Sequence, residues 1–199
     1  MPPGGSYPPR VPPSPDPAAE AGDDPRTGGA DFLSFTEVAL DTTALRLPET
    51  DRSAMAMVLL LHRVANSLVY DLESTVHRPA GWSWSAFRLL FTLWVSGPQE
   101  AGRAAALAGM SRAAVSSLAK TLGASGLVDR RPEPRDRRTA VLSLTDDGRR
   151  ALEDVFRVHN RREAEWAGLL TADELGTLNT LLTKLARAAH DQDWVSRRH

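Results

Sequence analysis

Between Glu100 and Leu144 the spacing of apolar residues changes from helical to strand-like, and few folds accept that change over so short a span. An alanine-rich stretch from about Glu100 to Ala108 stops at Gly109. Ser111 then occupies a position suited to a helix N-cap, because its hydroxyl can accept from an orphan backbone N–H. Val115, Leu118, Ala119 and Leu122 follow at spacings that put them on one helical face. Gly126 stops this second helix. Beyond it, Leu127 to Arg130 and Ala140 to Leu144 read as two short strands, joined by a charged loop holding Pro132 and Pro134. Two short helices joined through Gly109-Met110 and followed by a hairpin form a winged helix-turn-helix, spanning 83–144 with the helix before it.

The flanks are helical. Leu61, Val64, Leu68 and Leu72 form a stripe that Val58, Ala65 and Val69 widen, so the helix over 51–76 is expected to be heavily buried. Pro79 and Gly81 end it. Ser83 caps the next helix, with Phe87, Leu90, Phe91 and Trp94 inward. Thr145 opens a long helix to about Leu170, with Leu152, Val155, Phe156, Trp166 and Leu169 as candidate core. Thr171 and Glu174 have capping-box spacing. The last helix is expected to bury Leu175, Leu178, Leu182 and Leu185. The fold class is therefore mainly α with a small β-hairpin wing, over residues 46–199. Residues 1–45 read as a largely disordered, Pro-rich acidic tail, in which Ala30 to Leu47 could dock as a short helix.

Charge separates these regions. Residues 1–50 hold three arginines against eight acids, a net of −5, whereas residues 103–150 hold ten basic residues against five acids, a net of +5. The overall net charge of −1 conceals this basic patch. There is no cysteine, which removes disulfides, thiolate ligands and thiol switches together. No uninterrupted apolar run reaches the roughly 18 residues of a membrane span. The first residues lack the apolar core of a signal peptide. A cytoplasmic location and no membrane partner are expected.

The arginines of the loop are the strongest functional signal: Arg130, Arg131, Arg135, Arg137 and Arg138 lie between two strands and just after a capped helix. A helix fits the major groove of DNA. The outward residues of the Ser111 helix are Arg112, Ala113, Ser116, Ser117 and Lys120. Small Ala and Ser permit close approach, hydroxyls reach phosphates or base edges, and cations neutralise phosphate. The candidate DNA-binding set is Ser111, Arg112, Ala113, Ser116, Ser117, Lys120, Arg135, Asp136, Arg137 and Arg138. Arg103 could reach phosphate, and Arg130 and Arg131 could pair with Asp129 and Glu133 instead.

Here the chain resembles the multiple-antibiotic-resistance regulator (MarR) family, through FRLLFTLWVSGP, MSRAAVSSLAKTLGASGLVDRR and PRDRRTAVLSLTDDGRRAL. The resemblance covers about residues 51–190. It implies a transcriptional regulator that is an obligate homodimer, interlocked through helices 51–76 and 145–190. It implies binding to palindromic double-stranded operators, as a repressor released by a small-molecule effector. It also implies that Asp136 braces the wing and Arg138 enters the minor groove. The chain departs from the family pattern at Ala114, where Thr is common, and at Ser117, where a longer polar or basic residue is common.

The family's effector crevice implies a ligand site near the start of the Ser83-capped helix and the first long helix. Trp82, Trp84 and Arg88, with His62 and Arg63, are the candidates, and aromatic walls with a cation suit an aromatic acid. The alternative is that these aromatics are core. The histidines show no metal-ligand spacing, and no phosphate loop, nucleophile elbow or catalytic triad is present, so no enzyme activity, metal or cofactor is expected. A competing reading is a winged-helix protein–protein module whose basic face meets an acidic partner.

Overall fold

The computed structural model describes residues 32–132 and 140–192, the side chains of residues 32 and 33 excepted. The chain forms two compact units, Met1–Val64 and Ala65–His199.

In the first unit, α1 (Phe32–Arg46) precedes α2 (Arg52–Leu72), which runs on through the unit boundary. The acidic tail therefore does not extend to residue 45. Phe32 to Arg46 has enough apolar side chains to form a helix, and Thr36 and Leu40 in it are buried. Asp51 accepts from the Ala54 N–H at 2.9 Å, satisfying one orphan donor of α2. Arg52 Nη1 donates to Asp41 Oδ1 across the turn at 2.6 Å.

The heavy burial expected of α2 is not found. Met57, Val58, Leu60, Leu61 and Val64 are all 40% or more exposed, and Leu72 alone in the helix is fully buried. Arg52–His77 also has the length and mean hydropathy, 1.3, to cross a membrane by composition. It reaches that average without an uninterrupted apolar run, which is why the sequence shows no such span.

In the second unit α2 ends in one π-helical turn, Glu73–His77, closed by Arg78 N donating to Glu73 O at 2.8 Å. Then follow α3 (Trp84–Ser96), β1 (Gln99–Glu100), α4 (Ala101–Ala108), α5 (Arg112–Ala124), β2 (Val128–Pro132), β3 (Ala140–Leu144), α6 (Asp146–Ala167) and α7 (Ala172–Asp191). The sheet is antiparallel with order β1-β3-β2. Its β1 strand, unforeseen from sequence, pairs Gln99 with Leu142 and Glu100 with Val141. On the other side Val128 pairs with Leu144 and Pro132 with Ala140.

The core joins α3 (Phe87, Leu89, Leu90, Leu93), α4 (Ala104, Ala105, Ala108), α5 (Val115, Ala119, Leu122), the sheet (Val128, Leu142) and Leu152 of α6. The alanines of α4 are thus packing residues: their small side chains let α4 lie close against α3 and α5. The expected caps are all present, Ser83, Ser111, Thr145 and Thr171 each accepting from a backbone N–H three residues on. Two expectations fail at the C-terminal end. Leu169 is 78% exposed, because α6 has already ended at Ala167. No residue of α7 is fully buried, and Leu178, Leu182 and Leu185 face outward. The apolar rows exist, but the described residues do not cover them.

Candidate nucleic-acid interface

Helix α5 divides cleanly into two faces. Val115, Ala119 and Leu122 are buried, whereas Ser111, Arg112, Ala113, Ser116, Ser117 and Lys120 are all exposed. The six α5 candidates therefore lie on the solvent side of one capped helix, with Ser111 Oγ accepting from Ala114 N at 3.2 Å. Arg112 leans over α4: a Cβ built on Gly102 would meet its Nε at 3.5 Å. Arg103 of α4 is exposed as well.

The wing begins and ends on paired strands. Arg131 donates to Asp129 at 3.0 Å, so it takes the acidic partner that the sequence offered it. Arg130 is exposed. Arg135, Asp136, Arg137 and Arg138 lie outside the described residues.

The base of the wing is tied to the start of α6. Thr145 Oγ1 donates to Gly126 O at 2.7 Å, and Thr145 N donates to Leu127 O at 3.1 Å. The same hydroxyl caps α6 by accepting from Gly148 N at 2.9 Å. Gly148 is required because a Cβ there would stand 2.0 Å from the Leu127 carbonyl oxygen. The segment Leu-Thr-Asp-Asp-Gly is thus a joint: its Thr serves both elements, its Gly allows contact, and Asp146 and Asp147 favour the positive end of α6.

The ligand candidates are not gathered in one place. Trp82 lines a cleft of about 590 Å³ beside α5, with Leu118, Thr121 and Leu122. Trp84 and Arg88 line a different cavity of about 270 Å³, with Phe87, Phe91, Phe156 and His159. Arg88 is engaged: its Nη2 donates to Gly109 O at 3.0 Å and also to Ala108 O, at the end of α4. His62 and Arg63 are exposed residues of α2 in the first unit.

Two buried histidines were missed by the sequence reading. His77 and His159 are almost fully buried in a stack with Trp84, Phe87 and Phe156. His77 Nε2 lies 3.1 Å from His159 Nδ1, and His159 Nε2 lies 3.0 Å from Glu163 Oε1. Protons on both Nε2 atoms satisfy this chain, leaving only the bare His77 Nδ1 without a partner. Burial, and then the His159 charge, push His77 down to about 4. Burial lowers His159 as well, against the pull of Glu163. The available signal was spacing: Leu152, Val155, Phe156 and His159 fall on one helical stripe, which points His159 inward.

Nearby, Asp71 accepts from Arg162 at 2.7 and 2.8 Å and from Trp166 Nε1 at 2.7 Å. These bonds hold its carboxyl below the ordinary range.

Comparison with known proteins agrees with this arrangement. The MarR family model matches residues 82–140, the stretch from the start of α3 to the beginning of β3. An HTH-type transcriptional regulator of Bacillus subtilis (strain 168), YwaE, is 34% identical over 137 residues, covering 69% of this chain and 80% of its own length. A second from that organism, YkoM, is 28% identical, covering 52% and 68%. Among solved structures, a mutant MarR from E. coli complexed with operator DNA superposes with a TM-score of 0.61 at 23% identity, covering 72% of this chain and 96% of that one. PcaV from Streptomyces coelicolor, in complex with its natural ligand, gives 0.59 at 23%, covering 66% and 92%. At that identity the two structures speak for the fold. The family model and the YwaE relationship, on top of the winged helix-turn-helix, establish that the chain belongs to the MarR family of DNA-binding transcriptional regulators.

Proposed function

We propose that the protein is a homodimeric repressor in the cytoplasm that binds a palindromic operator and leaves it when a small aromatic acid binds. The observation that carries the DNA-binding part is the division of α5. Its solvent face holds a capping Ser, two small residues, a further Ser and two cations, with no acid among them. Such a face can approach base edges closely while Arg112 and Lys120 meet the flanking phosphates. Arg135, Asp136, Arg137 and Arg138 complete the interface from the wing, with Arg138 in the minor groove and Asp136 bracing the loop.

The dimer reading rests on the uncovered apolar rows. Leu178, Leu181, Leu182 and Leu185 of α7 are 38–52% exposed, and α2 is comparably bare. Patches of that kind mark an interface rather than a solvent face. A second copy that interlocks helices 51–76 and 145–190 covers them. The effector reading rests on the aromatic cavity with Arg88 in its wall. The PcaV complex with its natural ligand lends it analogy.

The test is retention of random genomic fragments by the purified protein, followed by sequencing. A palindromic consensus is expected, bound orders of magnitude more tightly than random DNA and steeply weakened by salt. Weak binding blind to sequence would refute the palindromic-operator repressor reading and favour a protein–protein module. Light scattering should give about twice 21.6 kDa.

A further inference from the structure

We propose that Ala113 is the specificity-determining residue of α5: its methyl group reads the C5 methyl of a thymine in the major groove of each operator half-site. The proposal rests on the palindromic-operator reading above and adds which base chemistry the helix selects.

Successive residues of a helix turn by about 100°. Ala113, Ser116, Ser117 and Lys120 therefore share an arc of about 100°, and all four are exposed. The arc faces away from the buried Val115, Ala119 and Leu122. Arg112 falls outside it, on the α4 side. Its guanidinium lies over Gly102 in the first turn of α4, where a Cβ would meet Nε at 3.5 Å, Cζ at 3.6 Å and Nη2 at 3.7 Å. That seat suits a phosphate at the edge of the groove rather than a base at its floor. Ser111 is committed as well, its hydroxyl accepting from Ala114 N at 3.2 Å as the helix cap. Lys120 lies about 10 Å further along the axis than Ala113. The N-terminal residues of a helix in the groove are the ones that meet base edges. The first turn of α5 thus presents one side chain squarely to the groove, and it is a methyl.

Ala113, Ser116, Ser117 and Lys120 include no Arg to grip guanine by two hydrogen bonds and no Asn or Gln to grip adenine. A methyl has nothing to offer a base donor or acceptor, and it strips water from such a group without replacing the bond. The major-groove feature it matches is the C5 methyl, which thymine alone of the four bases carries. Ser116 and Ser117, one turn on, have hydroxyls that donate or accept and so do not oppose this choice. Their small size, with that of Ala113, brings the helix backbone close enough for the two methyls to touch.

The test uses the full-length protein and the preferred fragment recovered by retention, with each thymine replaced in turn by uracil, which keeps the pairing and loses the methyl. One thymine in each half-site, at symmetric positions, should respond with a loss of about fourfold in affinity, the worth of one buried methyl. Replacing both should cost about fifteenfold. Ala113→Gly should bind the thymine and uracil fragments equally, near the wild-type affinity for the doubly replaced one. If that variant does not fold, base methylation carries the test in the wild type. Cytosine at the responsive position should weaken binding, and 5-methylcytosine there should return about fourfold.

A fragment indifferent to uracil at every thymine would overturn the proposal. So would a uracil effect that persists in Ala113→Gly, or 5-methylcytosine that binds no better than cytosine. A protein with no preferred sequence refutes the operator reading and this proposal together, whereas a preferred sequence blind to the methyl refutes this one alone.

Discussion

Gly148→Ala tests the joint between the wing and α6. The new Cβ would lie 2.0 Å from Leu127 O, 2.8 Å from its carbonyl carbon and 3.1 Å from its Cα. All three are backbone atoms, so relief requires the strand base and the helix to part by about 1 Å, the scale of overpacking that costs about 1–3 kcal/mol. Parting them strains the two bonds from Thr145 to Leu127 O and Gly126 O, at about 1 kcal/mol each. Alanine returns about 1 kcal/mol through helix propensity. The net loss is about 2–4 kcal/mol, or about 5–15 °C in melting temperature for a chain of this size. Gly176→Ala in α7 is the control: a Cβ there meets nothing within 4 Å. It should leave stability unchanged or raise it by up to about 1 kcal/mol. Urea and thermal unfolding of the two variants beside the wild type give the comparison. If Gly148→Ala is as stable as the wild type, the close seam between Leu127 and α6 is wrong.

Stability should fall in mild acid. His77 is held near 4 when folded and returns to about 6.5 when unfolded, so the unfolded chain takes up the proton first and stability is lost as pH falls through about 6.5. The His77 share is a loss of about 2 kcal/mol between about pH 7.5 and pH 5, with His159 adding in the same direction; a urea midpoint that stays flat over this range would contradict the neutral pair. Asp71→Asn should cost about 1–3 kcal/mol, discounted from a fully buried pair because Arg162 is partly exposed, and unfolding curves measure it. If an aromatic acid quenches tryptophan fluorescence, Trp84→Phe should remove the quench and Trp82→Phe should not, since only Trp84 lines the cavity with Arg88. Arg138→Ala should cost roughly 1–3 kcal/mol of operator binding with little change in melting temperature, and Asp136→Ala should weaken binding although it removes a negative charge. Tighter operator binding by Asp136→Ala in a mobility-shift titration would mean the wing tip is a loose basic patch.

What the sequence conveyed well was local. Ser83, Ser111, Thr145 and Thr171 are read as caps because the donor each satisfies lies three residues away. The two faces of α5 follow from one helical period. What it conveyed poorly depends on partners far along the chain. The strand β1 is two residues long and exists because Leu142 and Val141 arrive beside it. Arg88 meets Gly109 from 21 residues away, and His77 meets His159 from 82. Periodicity identified the apolar rows of α2 and α7 correctly but could not say what covers them. That is why their expected burial failed among the described residues.

The order β1-β3-β2 leaves the outer edge of β2 without a neighbour among the described residues. An open edge is a template on which a strand from another molecule can add, the first step toward aggregation. Here the edge carries Asp129, Arg130 and Arg131 and ends in Pro132, which has no N–H to donate. Approach of a second such edge brings two net-positive strands together and meets a missing donor at its end. The arginines at the root of the wing therefore also protect solubility, and replacing them with β-branched apolar residues would turn the strand into a site for self-association even in a protein that never meets DNA.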